Sequence, residues 1–356
     1  MKNTNTFYTG NGLEIIKSLP SESVNCCVTS PPYWGLRDYG LQVTDWPEVE
    51  YIPMAGLPSL KVSRWIGCLG LEPSPELYIA HIILIFREIH RVLRNDGTVW
   101  INLGDSYAKC GISGLGDPTI GERNLGGMKA IKKIIPQGLK PKDLVGIPWM
   151  VAFALQADSW YLRSDIIWSK SNPMPESVKD RPTKAHEYVF LLSKSSKYYY
   201  DSKAIEEPAK EWTGQAATFE RDHGKATLLE IPGQKYSSHR PNKKQRESVK
   251  RGDFNGKTND LPGREAFRAI VPTKNKRTVW TISTKPFKGA HFAVFPPDLV
   301  KPCILAGSRV GDTIIDPFGG SGTVALVASE LGRDSVYIDL NSNYTEMAKK
   351  RTSALH

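Results

Sequence analysis

Cysteine is scarce in this chain of 356 residues: five are present, Cys26, Cys27, Cys68, Cys110 and Cys303. An odd number at scattered positions builds neither a disulfide framework nor a zinc site, so no metal is expected. Cys26 and Cys27 lie inside an apolar stretch, where a core position is expected ahead of a nucleophile's role. No run of about 18 apolar residues occurs, and no membrane span is expected. The N-terminus shows polar Asn3, Thr4, Asn5 and Thr6 where a signal peptide would be hydrophobic, which points to the cytoplasm. No internal repeat is visible. What is present is the composition of a soluble globular protein, 40% hydrophobic and 24% charged. The length suits one large α/β domain with a substantial insertion, or two domains.

The formal net charge is +10, with a pI near 9.2. Most of the excess lies in one stretch: residues 203–277 hold 17 Lys and Arg against 10 Asp and Glu, a net +7. Each phosphate that such a stretch neutralises releases counterions, so a nucleic acid is the natural partner. The plainer alternative is a solvated basic surface.

Taken in order, the chain reads as alternating strands and helices. Phe7-Tyr8-Thr9 is a short strand ending at Gly10-Asn11-Gly12, and residues 13–19 form an amphipathic helix. The apolar run Val24 to Val28 is a buried strand that leads into Thr29-Ser30-Pro31-Pro32-Tyr33-Trp34. Together these make a β-α-β unit with a right-handed crossover. Residues 35–75 show no clear period and read as a long surface segment, of the kind that forms substrate lips or lids. A helix over 75–93 is stopped by Asn95-Asp96-Gly97, and 98–103 is the next strand. The glycine-rich stretch 110–142 is expected to be a mobile loop. A helix over 144–157, strands at 161–168 and 188–193, and a strand at 279–282 follow. The close is a helix over 292–305, a strand at 312–316, a helix over 322–331, a strand at 335–339 and a helix over 344–352.

Two motifs carry chemistry. Two consecutive prolines cannot continue a ladder, so the strand ending at Ser30 gives way to a stiff, exposed turn. That turn offers the Ser30 hydroxyl, the Pro31 carbonyl and the Tyr33 ring, a set able to hold a flat ring that bears an exocyclic amino group. The second motif is Asp316-Pro317-Phe318-Gly319-Gly320-Ser321-Gly322, a strand that runs into a glycine-rich turn and then a helix. Glycines let backbone approach a ligand, and the helix start offers free amides. Asp339, at the end of the next strand, can accept both hydroxyls of a ribose. No Gly-Lys-Ser/Thr follows, so the turn is not a P-loop.

Ser30 to Tyr33, then Asp316 to Gly322, then Asp339, closely resemble the motifs of the β-group DNA amino-methyltransferases, in which the catalytic motif precedes the cofactor motif. The resemblance also takes in residues 168–175, His186-Glu187 and residues 291–305. It implies a doubly wound, mostly parallel, seven-stranded α/β sheet with permuted motif order and an inserted target-recognition region. Residues 1–202 would be the catalytic half, 203–277 the basic insert and 278–356 the cofactor-binding half. The cofactor would be S-adenosylmethionine, held by Asn11, Asp316, Phe318, Gly319, Gly320, Ser321, Gly322 and Asp339. Asn11 stands where the family usually carries the Asp of Gly-Asp, and its amide can still hydrogen-bond an adenine edge. Ser30, Pro31, Pro32 and Tyr33 would be catalytic, with Ser30 and the Pro31 carbonyl accepting from the amine and Tyr33 stacking on an extruded base.

The partner implied is double-stranded DNA. Arg240, Lys243, Lys244, Arg246, Lys250 and Arg251 would meet its backbone, while Asn242 and Gln245 could read base edges. Lys170, Lys179, Arg181 and Lys184 are further phosphate candidates, each equally readable as part of a solvated loop. Trp34 either lines the base pocket or caps the core, and His186 and His291 stay divided between contact and structure. In the family, Ser at the first motif position is commoner in N4-cytosine enzymes, so N4 of cytosine is the expected target, with N6 of adenine as the alternative. A catalytically silent DNA-binding module is a more distant reading. A cognate restriction enzyme and a homodimer are left open by the resemblance.

Overall fold

Burial alternates along the strands, and that alternation decides the layering. The computed structural model describes residues 4–36, 40–108, 111–113, 131–133, 135–209, 273–285 and 295–354. At its centre is one eight-stranded sheet. Its strands are β1 (Asn5–Thr9), β2 (Val24–Thr29), β3 (Leu93–Leu103), β4 (Tyr161–Ser169), β5 (His186–Ser193), β6 (Val279–Thr281), β7 (Thr313–Asp316) and β8 (Asp334–Asp339). The order across the sheet is β1-β8-β7-β2-β3-β5-β4-β6. All neighbours run parallel except where β5 meets β3 and β4. The expected mostly parallel α/β sheet is thus present, widened to eight strands by the three-residue edge strand β6.

Cys27, Val99, Ile101, Phe190, Leu192 and Ile315 face one core, shared with helices α1 (Gly12–Ser18), α2 (Pro75–Val92) and α3 (Ile147–Ala157). Their strand neighbours Cys26, Val28, Trp100, Val189, Leu191 and Ile314 face the other core, under α4 (Pro297–Gly307) and α5 (Thr323–Glu330). The last helix, α6 (Ser342–Ser353), packs Ala348 against Ala325 of α5 and Tyr337 of β8. The period of two along a pleated strand is what sends adjacent residues to opposite layers. Cys26 and Cys27 are fully buried, and burial pushes the Cys26 thiol up to about 12. They are core residues.

Helix α2 shows how local signals and burial agree. Ser74 caps it by accepting from the Leu77 N–H, and Pro75 fills the first turn, where no amide partner is needed. Ile79, Ile82, Ile83, Phe86 and Ile89 are almost wholly buried, each contributing roughly 1.5–3 kcal/mol. The helix ends at Val92, and β3 begins at once at Leu93. Asn95-Asp96-Gly97 is therefore not the helix stop. Opposite β2 the register jumps from Leu93 to Thr98, so these residues form a bulge inside the strand. Gly97 belongs there because a Cβ would stand 2.5 Å from Leu93 Cγ and 2.9 Å from the Asn25 carbonyl.

Helix α3 starts three residues later than its pattern suggests, behind Gly146 in a left-handed conformation. Part of the patternless segment folds into two short antiparallel ribbons, Thr44–Trp46 with Trp65–Gly67 and Val49–Tyr51 with Leu60–Val62. Most of the glycine-rich stretch lies outside the described residues, although 111–113 pairs antiparallel with 131–133. Residues 1–205 with 276–356 form one compact unit and 206–275 a second. In the second, Glu207–Pro208 pairs antiparallel with Thr273–Lys274.

The topology places the site. Strands β1, β8, β7, β2 and β3 run parallel, so their carboxyl ends share one edge, the edge where open α/β sheets bind ligands. Because β5 runs the other way, it brings its amino end, His186-Glu187, to that same edge.

Candidate active site

The turn after β2 is held from below. Tyr78 of α2 donates its hydroxyl to the Pro32 carbonyl at 2.9 Å. The Gly35 N–H donates to the Gly70 carbonyl at 2.7 Å. Trp34 is buried and donates its indole N–H to the Glu72 carbonyl at 2.9 Å, so it caps the core and does not line the cleft. Among the described residues nothing donates to the Pro31 carbonyl.

Tyr33 is half-buried, and its hydroxyl lies 2.8 Å from Asn102 Oδ1 and 2.7 Å from Glu187 Oε2. Asn102 donates its own amide to the Tyr188 carbonyl at 3.0 Å, which turns its oxygen toward Tyr33. Burial, with the Glu187 charge beside it, raises the Tyr33 phenol well above its ordinary value, so the hydroxyl keeps its proton and donates. Ser30 Oγ lies 3.3 Å from the Tyr33 hydroxyl and 3.4 Å from Asn102 Oδ1. Both neighbours present acceptors to the Ser30 proton, so the serine's lone pairs are left facing the cleft. A hydroxyl oriented in this way accepts from an amine. Gly104 makes room for the arrangement: a Cβ there would stand 2.5 Å from Tyr33 Cε2.

The glycine turn sits on the neighbouring strand. Ile314 and Ile315 of β7 pair with Cys26 and Cys27 of β2. At the strand ends, Thr29 donates its hydroxyl to Asp316 Oδ1 at 2.7 Å, a buried bond between residues 287 apart in sequence. The Phe318 N–H donates to the same oxygen at 3.1 Å. Burial pushes the Asp316 carboxyl up to about 7, against the lowering effect of these two donors. Asp339 accepts from the Gly320 N–H at 2.8 Å and from the Asn341 N–H at 2.7 Å. A carboxylate has about four lone-pair sites, so Asp339 retains capacity for two ribose hydroxyls. Gly319 lies against the Tyr337 ring, where a Cβ would come within 2.2 Å. Arg351 of α6 clamps the turn, donating to the Ser321 carbonyl at 2.5 Å and to Ser321 Oγ at 2.9 Å.

Both turns line one cleft of about 1060 Å³, together with Asn11, Asn102, Lys170, Glu187 and Asp339. The glycine turn presents two carboxylates, Asp316 and Asp339, to the cleft, while Arg351, which touches the turn, is used on the Ser321 carbonyl and hydroxyl. That donor set suits a cationic ligand carrying a ribose and not a phosphate, so the residues fit S-adenosylmethionine.

Other expected site residues fall differently. Asn11 caps α1, accepting from the Glu14 N–H at 3.3 Å, and donates to Thr44 Oγ1 at 3.1 Å while still lining the cleft. Lys170 is engaged by the Glu187 carboxylate and lies 4.6 Å from the Trp168 ring centroid. Arg181 pairs with Glu176 at 2.7 Å, and Lys184 donates to the Asp105 carbonyl at 2.6 Å. These three cations are thus used within the chain. His186 packs edge-on to Tyr188, 5.4 Å between ring centroids, and also lines the cleft. Arg240, Lys243, Lys244, Arg246, Lys250, Arg251, Asn242, Gln245 and His291 lie outside the described residues. Sequence reasoning passed over Asn102 and the role of Glu187. The available signal was their position, each at the end of a strand that reaches the Ser30 edge.

A family model described as DNA methylase, covering N6 and N4 enzymes, matches residues 24–350. The chain is 41% identical over 346 residues to the type II methyltransferase M.Cfr9I of Citrobacter freundii, across 97% of this chain and 87% of the relative. Its fold is similar to that of the cytosine-N4-specific PvuII DNA methyltransferase, with a TM-score of 0.55 at 15% identity over 99% of this chain and 87% of that one. A putative DNA modification methylase of Thermus thermophilus, solved with S-adenosyl-L-methionine, is similar at TM-score 0.53 and 19% identity, over 99% of this chain and 94% of that one. With the family model matched over most of its length and both turns lining one cleft, the chain belongs to the N6/N4 family of DNA methylases.

Proposed function

We propose that the chain moves a methyl group from S-adenosylmethionine to the N4 amino group of cytosine in double-stranded DNA, at a specific base sequence. The observation that carries this reading is the Thr29–Asp316 hydrogen bond, which ties the Ser30 turn to the glycine turn along one cleft. An exocyclic amine is a poor nucleophile because its lone pair is shared with the ring. Ser30 Oγ and the Pro31 carbonyl accept its two protons and favour a pyramidal nitrogen. Tyr33 packs on the extruded base and offsets part of the few kcal/mol that extrusion costs. Holding the nitrogen in line with the methyl carbon supplies much of the rate.

Asp339 holds the cofactor's ribose, Phe318 packs near it and Asn11 lies at the adenine. When bound, the cofactor supplies an electrophilic methyl group. Ser at position 30 supports cytosine, as the family trend implies, with adenine N6 as the second reading. The basic insert at 203–277 is the target-recognition region, and a cognate restriction enzyme is the further partner this reading allows. Labelled methyl transfer offered in parallel to duplex DNA, RNA and protein tests the reading. Label is expected in duplex DNA, and Ser30→Ala and Tyr33→Ala are each expected to lose on the order of 100-fold in rate. Label in RNA or protein alone, or full rates in both variants, contradicts it.

A further inference from the structure

We propose that Glu187 is the terminal proton acceptor of the methyl transfer, reached from the base through Ser30 and Tyr33. The inference rests on the amino-methyl transfer proposed above. N-methylation of an exocyclic amine leaves a cationic nitrogen that must lose a proton, and the two groups facing that nitrogen, a serine hydroxyl and a peptide carbonyl, are weak bases. A carboxylate stands two hydrogen bonds away. Ser30 Oγ is 3.3 Å from the Tyr33 hydroxyl, which is 2.7 Å from Glu187 Oε2. The Tyr33 proton has two acceptors within reach, Asn102 Oδ1 and Glu187 Oε2. The ionised oxygen is the stronger of the two. With Tyr33 donating to Glu187, Ser30 donates to Tyr33, and every donor in the row points away from the base. Glu187 is 14% exposed at its side chain, so bulk water competes little for the proton.

The nitrogen lone pair forms the bond to the methyl carbon, and the electron pair of the carbon–sulfur bond leaves on sulfur, turning a sulfonium into a neutral thioether. One amine proton passes to Ser30 Oγ, the Ser30 proton to the Tyr33 oxygen and the Tyr33 proton to Glu187 Oε2. The positive charge lost by the donor is thus matched by the negative charge lost by Glu187. The groups facing Glu187 are Tyr33 from the β2 turn, Lys170 at the end of β4 and Lys184 from the segment before β5, while Asn102 of β3 shares the Tyr33 hydroxyl with it. Lys170 holds the carboxylate by its other oxygen, leaving Oε2 to Tyr33.

The test is single-turnover methyl transfer to duplex DNA by Glu187→Gln, Tyr33→Phe and the double variant, across pH, with cofactor and DNA affinities measured separately. Gln keeps the size and the hydrogen bond from Tyr33 but cannot take a proton, and Phe keeps the ring. Each single variant is expected to lose on the order of 100-fold in rate, with dissociation constants within about threefold of wild type. The double variant is expected to fall no more than about threefold below either single one, because the groups act in series. The wild-type rate is expected to fall at low pH and the Glu187→Gln rate to lose that limb. Without any DNA or cofactor, ¹³Cζ-labelled Tyr33 is expected to shift with pH in wild type and to stay flat in Glu187→Gln. An active wild type with a Glu187→Gln rate within about twofold of it, losses that multiply in the double variant, or a loss explained by DNA affinity would overturn the relay. A wild type that transfers no methyl to DNA would instead sink the parent reading.

Discussion

A Cβ built on Gly104 would stand 2.5 Å from Tyr33 Cε2 and 2.7 Å from Tyr33 Cδ2. The Tyr33 ring would have to swing away, and its hydroxyl would leave Asn102 and Glu187. Gly104→Ala is therefore expected to lower the methyl-transfer rate by about tenfold or more, since overpacking of this kind costs roughly 1–3 kcal/mol. Cofactor affinity, measured by calorimetry, is expected to change little, because the glycine turn is untouched. Asp316 sets a pH dependence. Its folded carboxyl is pushed up to about 7, whereas an unfolded aspartate titrates near about 3.9. Between those values the folded protein holds a proton that the unfolded chain has lost, so this group's contribution to stability declines as pH rises through that window. Asp316→Asn removes the decline. The melting temperature of the variant relative to wild type is expected to climb from pH 5 to pH 8, and a difference constant with pH would contradict the burial argument.

At the scale of elements, the glycine turn is fixed by β8 beneath it and by α6 behind it. Tyr337 is 1% exposed and donates its hydroxyl to the Gly320 carbonyl at 2.7 Å. A ring so held cannot move for a Cβ at Gly319. Gly319→Ala is expected to weaken cofactor binding by about tenfold or more in calorimetry, while DNA binding persists. Elements of this kind were legible in the sequence because strand, turn and helix are contiguous in Thr313 to Thr323. The Ser30 turn was legible for the same reason, two prolines closing an apolar run. What depends on distant pairing was not. Asn95-Asp96-Gly97 reads as a helix stop until β2 is laid beside β3 and the bulge emerges. The short ribbons at 44–67 show no period because three-residue strands are too brief to display one. Asn102 belongs to a strand that meets Tyr33 only in the folded sheet and carries no local signature, and His186-Glu187 falls within the resemblance without showing that Glu187 reaches Tyr33. Asn11 shows the converse: its neighbour Gly10 matches the motif, yet the side chain spends its oxygen on capping α1.

At the scale of the whole molecule, charge and cofactor chemistry occupy different parts of the chain. The cleft and both turns lie in the unit formed by residues 1–205 and 276–356. The net +7 lies at 203–277. Glu207–Pro208 and Thr273–Lys274 are hydrogen-bonded partners, so the two ends of the intervening segment are adjacent. Residues 209–272 can therefore be replaced by a two-residue turn without stretching the chain. That variant is expected to melt cooperatively and to bind S-adenosylmethionine like the full chain. Its affinity for duplex DNA is expected to fall at least about tenfold and to lose most of its salt dependence, because 13 of the 17 Lys and Arg counted at 203–277 are removed. Undiminished, salt-sensitive DNA binding would place the DNA contact elsewhere. The measurement that bears most directly on the central claim is the identity of the modified nucleoside. The full chain is incubated with duplex DNA and methyl-labelled S-adenosylmethionine, the DNA is digested, and the nucleosides are separated by mass spectrometry. The expected result is label in N4-methylcytosine, removed by Ser30→Ala. Label in N6-methyladenine would contradict the choice of base, and no labelled nucleoside at all would contradict the shared cleft as a site of methyl transfer.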